Sequence, residues 1–274
     1  MSLIISTFNL AWLQGEGSEG TNYKKHAKLH FSSGCSVVAN FIKENNIDFI
    51  AMQEIDFDCD RSHNLNQLQI LQEKTNYYGV KTVSWDIPFL PYPYYSPWGK
   101  IRSGGACLSK FPITLKEEIL FDAPDNMFFL KKPLYIKRYI QVIEIHTENK
   151  KYTTFNLHLE AFDMDEKYKQ IQILLDLVKK HHPDLILGDF NTISDHSDRR
   201  KFSDIDYSND KSFTMLSKGL SDYKNSISYL TFPKSHPDRQ LDYIFIKKEI
   251  NFEILNCEFF LNPSDHKPLV IKIL

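Results

Sequence analysis

Short runs of apolar residues recur along the whole chain. They are rich in β-branched and aromatic side chains, and both their composition and their length favour strands over helices. Eight such runs predict strands, at residues 3–8, 48–53, 106–108, 139–145, 152–157, 184–187, 241–246 and 269–273.

Three other segments, residues 37–45, 64–74 and 166–181, place their apolar side chains at helical spacing. Pro183 follows the third segment, where a proline ends a helix, and Asp163 or Asp165 is expected to cap its start. Strands and helices alternate early and strands cluster elsewhere, which predicts two sheets packed face to face with helices outside. We interpret residues 1–274 as one domain.

Two segments stand apart from this pattern. Residues 85–98 are dense in aromatic side chains and prolines, and the prolines predict a loop instead of a helix or central strand. This loop either folds over the core or contacts substrate or lipid. Residues 195–206 carry charges of both signs and predict a solvated loop, with a substrate-recognition insert as the alternative.

Composition narrows the class of protein. The 274 residues are 42% hydrophobic and 25% charged, as in ordinary globular proteins, and the formal net charge of −2 argues weakly against non-specific binding of duplex nucleic acid. The four cysteines form no C-x-x-C pair, which favours free buried thiols. No apolar stretch reaches the ~18 residues of a membrane span. The first residues indicate a strand, not a signal peptide, so we expect a cytoplasmic monomer, or a secreted protein if a leader has been removed.

Polar residues with useful chemistry stand where the predicted strands begin or end. They are Asn9, Glu54, His158, Asp189, Asn191, Asp242, Asp265 and His266. Any one of them is explained by a turn, a cap or a satisfied core histidine. Carboxylates that converge at one edge, however, repel each other unless a cation holds them, and oxygen ligands suit Mg²⁺ or Mn²⁺.

These residues lie in short motifs with a recognisable order. The motifs are Thr7-Phe8-Asn9, Gln53-Glu54, the stretch from Ser103-Gly104-Gly105 to Phe111-Pro112, Asn156-Leu157-His158, Gly188-Asp189-Phe190-Asn191, Leu241-Asp242-Tyr243 and Ser264-Asp265-His266. In this order, and over nearly the entire chain, they resemble the endonuclease/exonuclease/phosphatase superfamily. The resemblance implies a four-layer α/β sandwich of the deoxyribonuclease I type, with two mostly antiparallel mixed sheets. It also implies hydrolysis of a phosphodiester or phosphomonoester by metal-assisted in-line attack of water.

The resemblance implies a Mg²⁺ site, with Mn²⁺ as a possible substitute. Glu54 resembles the principal metal-binding carboxylate of the family. Asn9 lies where the family places an amide beside the metal, and Asp265 would bind the metal directly or through water. Some relatives have an acidic residue where this chain has Ala11, and its absence weakens the case for a second metal.

The resemblance also implies catalytic roles. Asp189, helped by Asn191, would orient or deprotonate the attacking water. His266 would contact the scissile phosphate, with Asp242 fixing its tautomer and charge, and His158 would donate to a phosphate oxygen. Protonated imidazoles would then offset the charge that grows in the transition state. Whether Asp189 or His266 is the general base stays open.

Three arginines are further candidates for contacts with substrate phosphate. Arg138 resembles a family arginine near the site, and Arg61 and Arg102 flank matched motifs. Guanidinium groups suit bidentate phosphate contacts. The alternative for each is a solvated flank of a strand or loop.

Several functions remain compatible with the motifs. The substrate is a phospholipid head group, an inositol phosphate or another small phosphoester, or else DNA or RNA cut by an endonuclease or exonuclease. A catalytically inactive binding module on the same fold is a further alternative, since fold does not determine function. A zinc hydrolase would require a histidine cluster on one element, which the sequence lacks.

Overall fold

The structure, a computed structural model, describes residues 2–15, 26–125, 127–194, 202, 205–226, 229–257 and 263–274. Its strands in chain order are β1 Leu3–Asn9, β2 Phe49–Asp56, β3 Tyr78–Leu90, β4 Gly99–Ser109, β5 Ile113–Leu120, β6 Tyr139–His146, β7 Lys151–His158, β8 Leu185–Asp189, β9 Tyr223–Asn225, β10 Asp242–Lys247, β11 Phe252–Ile254 and β12 Leu269–Ile273. Its α-helices are α1 Lys28–Glu44, α2 Gln67–Thr75, α3 Met164–His181 and α4 Ser212–Gly219.

The described strands form two six-stranded sheets with the same internal pattern. The first has the order β11-β12-β1-β2-β4-β3 and the second β5-β6-β7-β8-β10-β9. Each contains one parallel pair, β1 with β2 and β7 with β8, and the other neighbours are antiparallel. A parallel pair requires a crossover, which α1 provides in the first sheet and α3 in the second. The predicted sandwich of two mostly antiparallel mixed sheets is confirmed.

Alternation along the strands separates three apolar layers. In β8, Leu185 and Leu187 face the other sheet, whereas Ile186 packs under α3. In β1, Ile5 joins the layer between the sheets and Phe8 the layer beneath α1 and α2. A strand alternates its faces at every residue, so strands covered on both sides carry near-continuous apolar runs. This is why periodicity along the chain predicted the layers.

A hydrogen-bonded polar layer crosses between the sheets just below their functional edge. Gln53 Nε2 donates to Asn156 Oδ1 at 2.7 Å and to Thr7 Oγ1 at 3.1 Å. Asn156 Nδ2 in turn donates to Gln141 Oε1 at 2.7 Å. Buried amides are tolerated when their partners are present, and such a network holds one register between the sheets.

Several predicted boundaries need correction. Helix α1 begins at Lys28, not at residue 37, and α4, β3, β5, β9 and β11 were not predicted. Helix α3 is confirmed, and the Asp163 side chain accepts from Glu166 N at 3.1 Å as its cap. The four cysteines are free, as predicted. Among the described residues, no helix is long and apolar enough to cross a membrane.

The predicted loop at residues 85–98 is wrong in its first half. Strand β3 continues through residues 85–90, pairing Ile87 with Ile101 and Leu90 with Gly99. β3 is the edge strand of its sheet, and the register shifts between Ile87 and Leu90, around Pro88. Proline is compatible with an edge because its missing N–H breaks no inner ladder. Most of the other predicted loop, residues 195–206, lies outside the described residues.

Candidate active site

The two sheets bring the predicted residues to one edge of the sandwich. Asn9 and Glu54 lie near the carboxyl ends of the parallel strands β1 and β2, and His158 and Asp189 pair in register at the ends of β7 and β8. Asp242 opens β10 and also pairs with Asp189, because an antiparallel neighbour starts where β8 ends. Parallel strand ends from both sheets therefore converge on one cleft.

Local backbone irregularities aim the side chains into this cleft. Glu54 has a φ of +52° within the register shift between Met52 and Ile55, so it leaves the strict alternation of β2. Gly188 has a φ of +143°, and a Cβ there would lie 2.1 Å from the carbonyl oxygen of Leu157. Glycine is therefore required immediately before Asp189.

His266 and Asp242 form a buried ion pair. His266 Nδ1 lies 2.8 Å from Asp242 Oδ2, and the backbone N–H of His266 donates to Ser264 Oγ. Burial opposes the imidazolium charge, but the charge of Asp242 and its hydrogen bond outweigh burial and raise the pKa of His266 to about 10. His266 is consequently a cation that presents Nε2 to the cleft at neutral pH.

Asp189 lies between the two histidines. Its Oδ1 accepts from Asn191 N at 2.9 Å and its Oδ2 accepts from Asn9 Nδ2 at 2.9 Å. The same Oδ2 is 3.9 Å from His266 Nε2 and 3.6 Å from His158 Nε2. Burial, followed by the charge of Asp242, raises the pKa of Asp189 to about 7. A carboxylate with this pKa can accept a proton near neutral pH.

Asn9 connects two carboxylates of the site through its side-chain amide. Its Nδ2 donates to Asp189 Oδ2 and, at 3.3 Å, to Glu54 Oε1. Its Oδ1 accepts from the backbone N–H of Ala11 at 2.9 Å, which establishes which end of the amide is oxygen. One lone pair of the predicted oxygen ligand is thus used by the backbone, and the contacts seen in the structure give Asn9 a positioning role for the two carboxylates.

His158 differs from the predicted protonated donor. Its Nε2 lies 2.9 Å from Arg138 Nη1, and a guanidinium can only donate, so Nε2 accepts. Burial, and then the charge of Arg138, hold the pKa of His158 well below 6.5. His158 is therefore neutral, and Arg138 is the cation at this side of the cleft.

The converging residues line a cavity with a volume of about 270 Å³. Its floor holds the acidic and imidazole groups described above. One wall is formed by Arg61, whose guanidinium lies 4.4 Å from the ring centre of Trp12 and 4.8 Å from that of Trp98. Arg61 Nη2 and Nε contact the two carboxylate oxygens of Asp56 at 2.7 and 3.0 Å. Of the three arginine candidates, Arg61 and Arg138 line the cavity.

Arg102 does not belong to the cavity wall. Its side chain is about half-exposed and lies 3.6 Å from Asp86 on the neighbouring edge strand. Arg102 stands one residue before Ser103, and alternation along β4 turns it to the solvent. The predicted phosphate contact is therefore wrong for this arginine.

Sequence reasoning missed a buried lysine behind the site. Lys167 in α3 is fully buried, and its Nζ donates to Asn191 O at 2.6 Å and lies 3.6 Å from Asp210 Oδ2. Asn191 has a φ of +49°, and its Nδ2 donates to Leu159 O. Asn191 thus holds Asp189 through its backbone N–H, and Lys167 holds Asn191. The available signal was a lysine at the helical spacing of the apolar face of α3.

A second missed group supports Arg138. Glu160 Oε2 lies 3.8 Å from Arg138 Nε and accepts a hydrogen bond from the Tyr135 hydroxyl, while Glu160 Oε1 accepts from Phe162 N at 3.0 Å. Glu160 follows His158 by two residues. It balances the charge of a buried guanidinium, which would otherwise be costly.

Two sets of residues are candidates for holding a metal. Ligand atoms of Asp189, Asp242 and His266 lie within 4.8 Å of one another, and His266 Nδ1 is engaged there by Asp242 Oδ2 at 2.8 Å. Glu54 and Asp265 both line the cavity and offer oxygen atoms. Burial raises the pKa of Asp265, and the charge of Glu54 adds to that effect against the opposing charge of His266. A divalent cation would relieve this repulsion, so the chemistry of Glu54 and Asp265 fits a hard ion.

Comparisons with known proteins identify the family and the fold of the chain. A model of the endonuclease/exonuclease/phosphatase family matches residues 32–266. The chain resembles the structure of an endonuclease/exonuclease/phosphatase from Beutenbergia cavernae DSM 12333, with 16% identity, a TM-score of 0.70 and coverage of 99% of this chain and 71% of the other.

Two further structures cover both chains almost completely. One is an endonuclease/exonuclease/phosphatase family protein from Leptotrichia buccalis C-1013-b, with 20% identity, a TM-score of 0.65 and coverage of 99% and 98%. The other is a mannosyl-6-phosphatase from Bacteroides thetaiotaomicron VPI-5482, with 15% identity, a TM-score of 0.63 and coverage of 99% of each chain. Similarity at this level shows a shared fold. None of the curated proteins matches the sequence.

Proposed function

This chain belongs to the endonuclease/exonuclease/phosphatase family, whose members hydrolyse phosphoester bonds, and we propose that it uses Mg²⁺ to hydrolyse a small phosphoester. One observation carries the proposal. Asp189, the His266–Asp242 pair and the Arg138–His158 pair converge on one cavity that Glu54 and Asp265 also line. A structural role for each residue alone would not require this convergence.

Glu54 and Asp265 would hold the ion. When bound, Mg²⁺ would polarise a phosphoryl oxygen and offset charge that develops in the transition state. Asn9 donates to Glu54 and Asp189 and so keeps both carboxylates turned towards the cavity. The remaining positive charge comes from the chain itself, through His266 and Arg138.

The two ionisable groups facing each other suit opposite tasks. The pKa of His266, at about 10, makes this imidazolium a hydrogen-bond donor to a phosphoryl oxygen, and it cannot act as a base at neutral pH. The pKa of Asp189, at about 7, makes it the better acceptor for the proton of an attacking water. We therefore assign the general base to Asp189 and the phosphate contact to His266. Neutral His158 holds Arg138 towards the cavity.

The size of the cavity supports a small substrate group. A volume of about 270 Å³ admits a phosphate with a compact substituent, and the wall of Trp12, Trp98 and Arg61 closes one side. The chain as a whole carries a net charge of −2, whereas a groove that grips duplex phosphates is basic. We therefore propose a phospholipid head group, an inositol phosphate or a comparable small phosphoester as substrate.

The test compares the wild-type protein with Asp189→Asn, which keeps the size of the side chain. We expect turnover of bis(p-nitrophenyl) phosphate with Mg²⁺, its loss with EDTA and its recovery on adding Mg²⁺. Asp189→Asn should lower kcat by about 10² or more. Absence of turnover of any diester or monoester with either Mg²⁺ or Mn²⁺ would overturn the proposal.

The substrate class is tested separately. Sphingomyelin, inositol phosphates, supercoiled plasmid and abasic DNA are offered under the same conditions. Preferential turnover of a lipid or inositol phosphate supports the small-phosphoester assignment. Efficient cleavage of plasmid or abasic DNA would replace it with a nuclease.

A further inference from the structure

Large apolar side chains are exposed around the entrance of the cavity. We call residues 89–95, residues 128–136 and Phe162 the apolar rim. Nine of the sixteen exposed large apolar side chains among the described residues lie in it. Tyr95 is 95% exposed, Tyr94 81% and Phe162 71%. These residues are concentrated at one end of the molecule.

Direct contacts attach the rim to the cavity wall. Trp98 lines the cavity, and its backbone N–H donates to Tyr92 O at 3.0 Å. Trp85 also lines the cavity, and its Nε1 donates to Leu134 O at 3.3 Å. Ile136 and Phe162 belong to both the rim and the cavity lining. Each of the three rim segments is therefore in direct contact with the cavity wall or forms part of it.

The rim side chains pack in pairs. The rings of Tyr94 and Tyr95 lie 5.1 Å apart, and those of Phe128 and Phe129 lie 4.9 Å apart. A soluble protein rarely exposes a large contiguous apolar patch unless another surface covers it. Burial of a pair against one apolar surface would cover both of its rings together.

The composition of the rim favours a lipid bilayer as that surface. Tyrosine combines an apolar ring with a polar hydroxyl, and such side chains concentrate where the head groups meet the hydrocarbon. Lys131 is exposed and Lys132 partly exposed beside Phe128 and Phe129, where their charges would meet lipid phosphates.

We propose that the apolar rim inserts into the surface of a lipid bilayer and places the cavity at the phosphoester of a lipid head group. The second half of this statement rests on the proposed function, whereas the docking itself does not. A lipid substrate lies in a bilayer whose apolar interior can cover the rim, whereas a phosphoester dissolved in water brings no such surface. This difference gives a physical reason for apolar side chains to be exposed beside the cavity.

The first test measures partition onto vesicles. Wild-type protein, Tyr94→Ser/Tyr95→Ser and Phe128→Ser/Phe129→Ser are sedimented with vesicles of phosphatidylcholine, alone or with a minority of phosphatidylserine. Each double variant should lower the partition coefficient at least about tenfold, because two buried rings are lost. Tyr78→Ser is the matched control, since Tyr78 is also exposed but lies at the other end of β3, roughly 40 Å away at ~3.3 Å per residue.

Two outcomes of the partition test overturn the proposal. Failure of the wild-type protein to bind either kind of vesicle would leave the rim as a surface for a protein partner. Binding that survives both aromatic double variants and disappears in Lys131→Ser/Lys132→Ser would show electrostatic adsorption instead of insertion. Thermal melting of each variant establishes that it is folded.

A second test separates docking from catalysis. Turnover of the water-soluble bis(p-nitrophenyl) phosphate should stay within about twofold of wild type in both aromatic double variants, because these rings lie outside the cavity lining. Turnover of vesicle phospholipid should fall with the partition coefficient. Asp189→Asn should bind vesicles normally. Vesicle binding without any hydrolysis would refute the proposed function and leave the docking in place. Turnover of bis(p-nitrophenyl) phosphate without vesicle binding would refute the docking and leave the proposed function in place.

Discussion

Replacing Asp242 by asparagine should change the protonation of His266 while keeping the shape of the site. His266 Nδ1 lies 2.8 Å from Asp242 Oδ2, and this contact is the main reason why the pKa of the imidazole reaches about 10 despite burial. The difference from the ordinary value of 6.5 corresponds to about 5 kcal/mol, at ~1.36 kcal/mol per pH unit, and Asp242 supplies the larger part. In Asp242→Asn, burial remains and the pKa of His266 should fall to 6.5 or below.

The consequence for activity follows from the protonated fraction. At about pH 8 this fraction falls from about 99% in the wild type to about 3% in Asp242→Asn, so kcat/KM should fall at least about 30-fold if the imidazolium contacts phosphate. Between about pH 8 and about pH 6 the protonated fraction in the variant rises at least about 20-fold, so the ratio of wild type to variant should shrink by about that factor. Asp184→Asn is the control, because Asp184 precedes the first residue of β8, at the end of the strand far from Asp189. The ratio of wild-type kcat/KM to that of this variant should not change with pH.

Two measurements check this reasoning. The pH dependence of kcat/KM gives the ratio, and NMR titration of the imidazole nitrogens in the chelator-treated protein gives the pKa of His266 directly, with His266→Gln identifying its signal. A wild-type pKa below 7, or an unchanged pKa in Asp242→Asn, would refute the assignment. Stability offers a third readout. Because the folded pKa is raised, protonation of His266 stabilises the wild type fully below about pH 6.5, and this stabilisation is lost as the pH rises through about 10.

Further variants test the other roles. Glu54→Gln should raise the Mg²⁺ concentration for half-maximal activity by about tenfold or more, and an unchanged Mg²⁺ titration would contradict a ligand role. Lys167→Met should lower kcat and reduce the free energy of unfolding in urea by about 3 kcal/mol, because Asp210 stays buried without its cation and Asn191 loses a hydrogen bond. A variant with the kcat and the unfolding free energy of the wild type would refute the positioning role of Lys167. Arg102→Ala should leave kcat/KM within about twofold of wild type, whereas Arg138→Ala should lower it by about 10²; equal effects would contradict their different positions.

Sequence patterns predicted much of the architecture for identifiable reasons. In β8, Leu185, Ile186 and Leu187 form an unbroken apolar run, which indicates a strand covered on both faces. The Gly188-Asp189 step then marks where the strand ends, since only glycine fits beside Leu157. The apolar run and the Gly-Asp step are both visible in the sequence, whereas the contact that requires glycine comes from the neighbouring strand β7.

Other features depend on contacts between distant segments. Whether Pro88 breaks a strand depends on β3 being an edge, which is a property of the sheet order. The protonation of His158 depends on Arg138, twenty positions earlier, and on burial by both sheets. The contact of Asn9 with Asp189 joins residues 180 positions apart, which no local pattern displays.

The sequence by itself therefore determined which residues stand at the functional edge, because strand alternation and the order of the motifs are properties of the chain. Only the tertiary structure decided what each residue does there. It placed Arg138 against His158, set Lys167 behind Asn191, turned Arg102 to the solvent and raised the pKa of Asp189 by burial. Charge state and hydrogen-bond direction depend on which groups lie within a few ångströms of each other, and folding determines those distances.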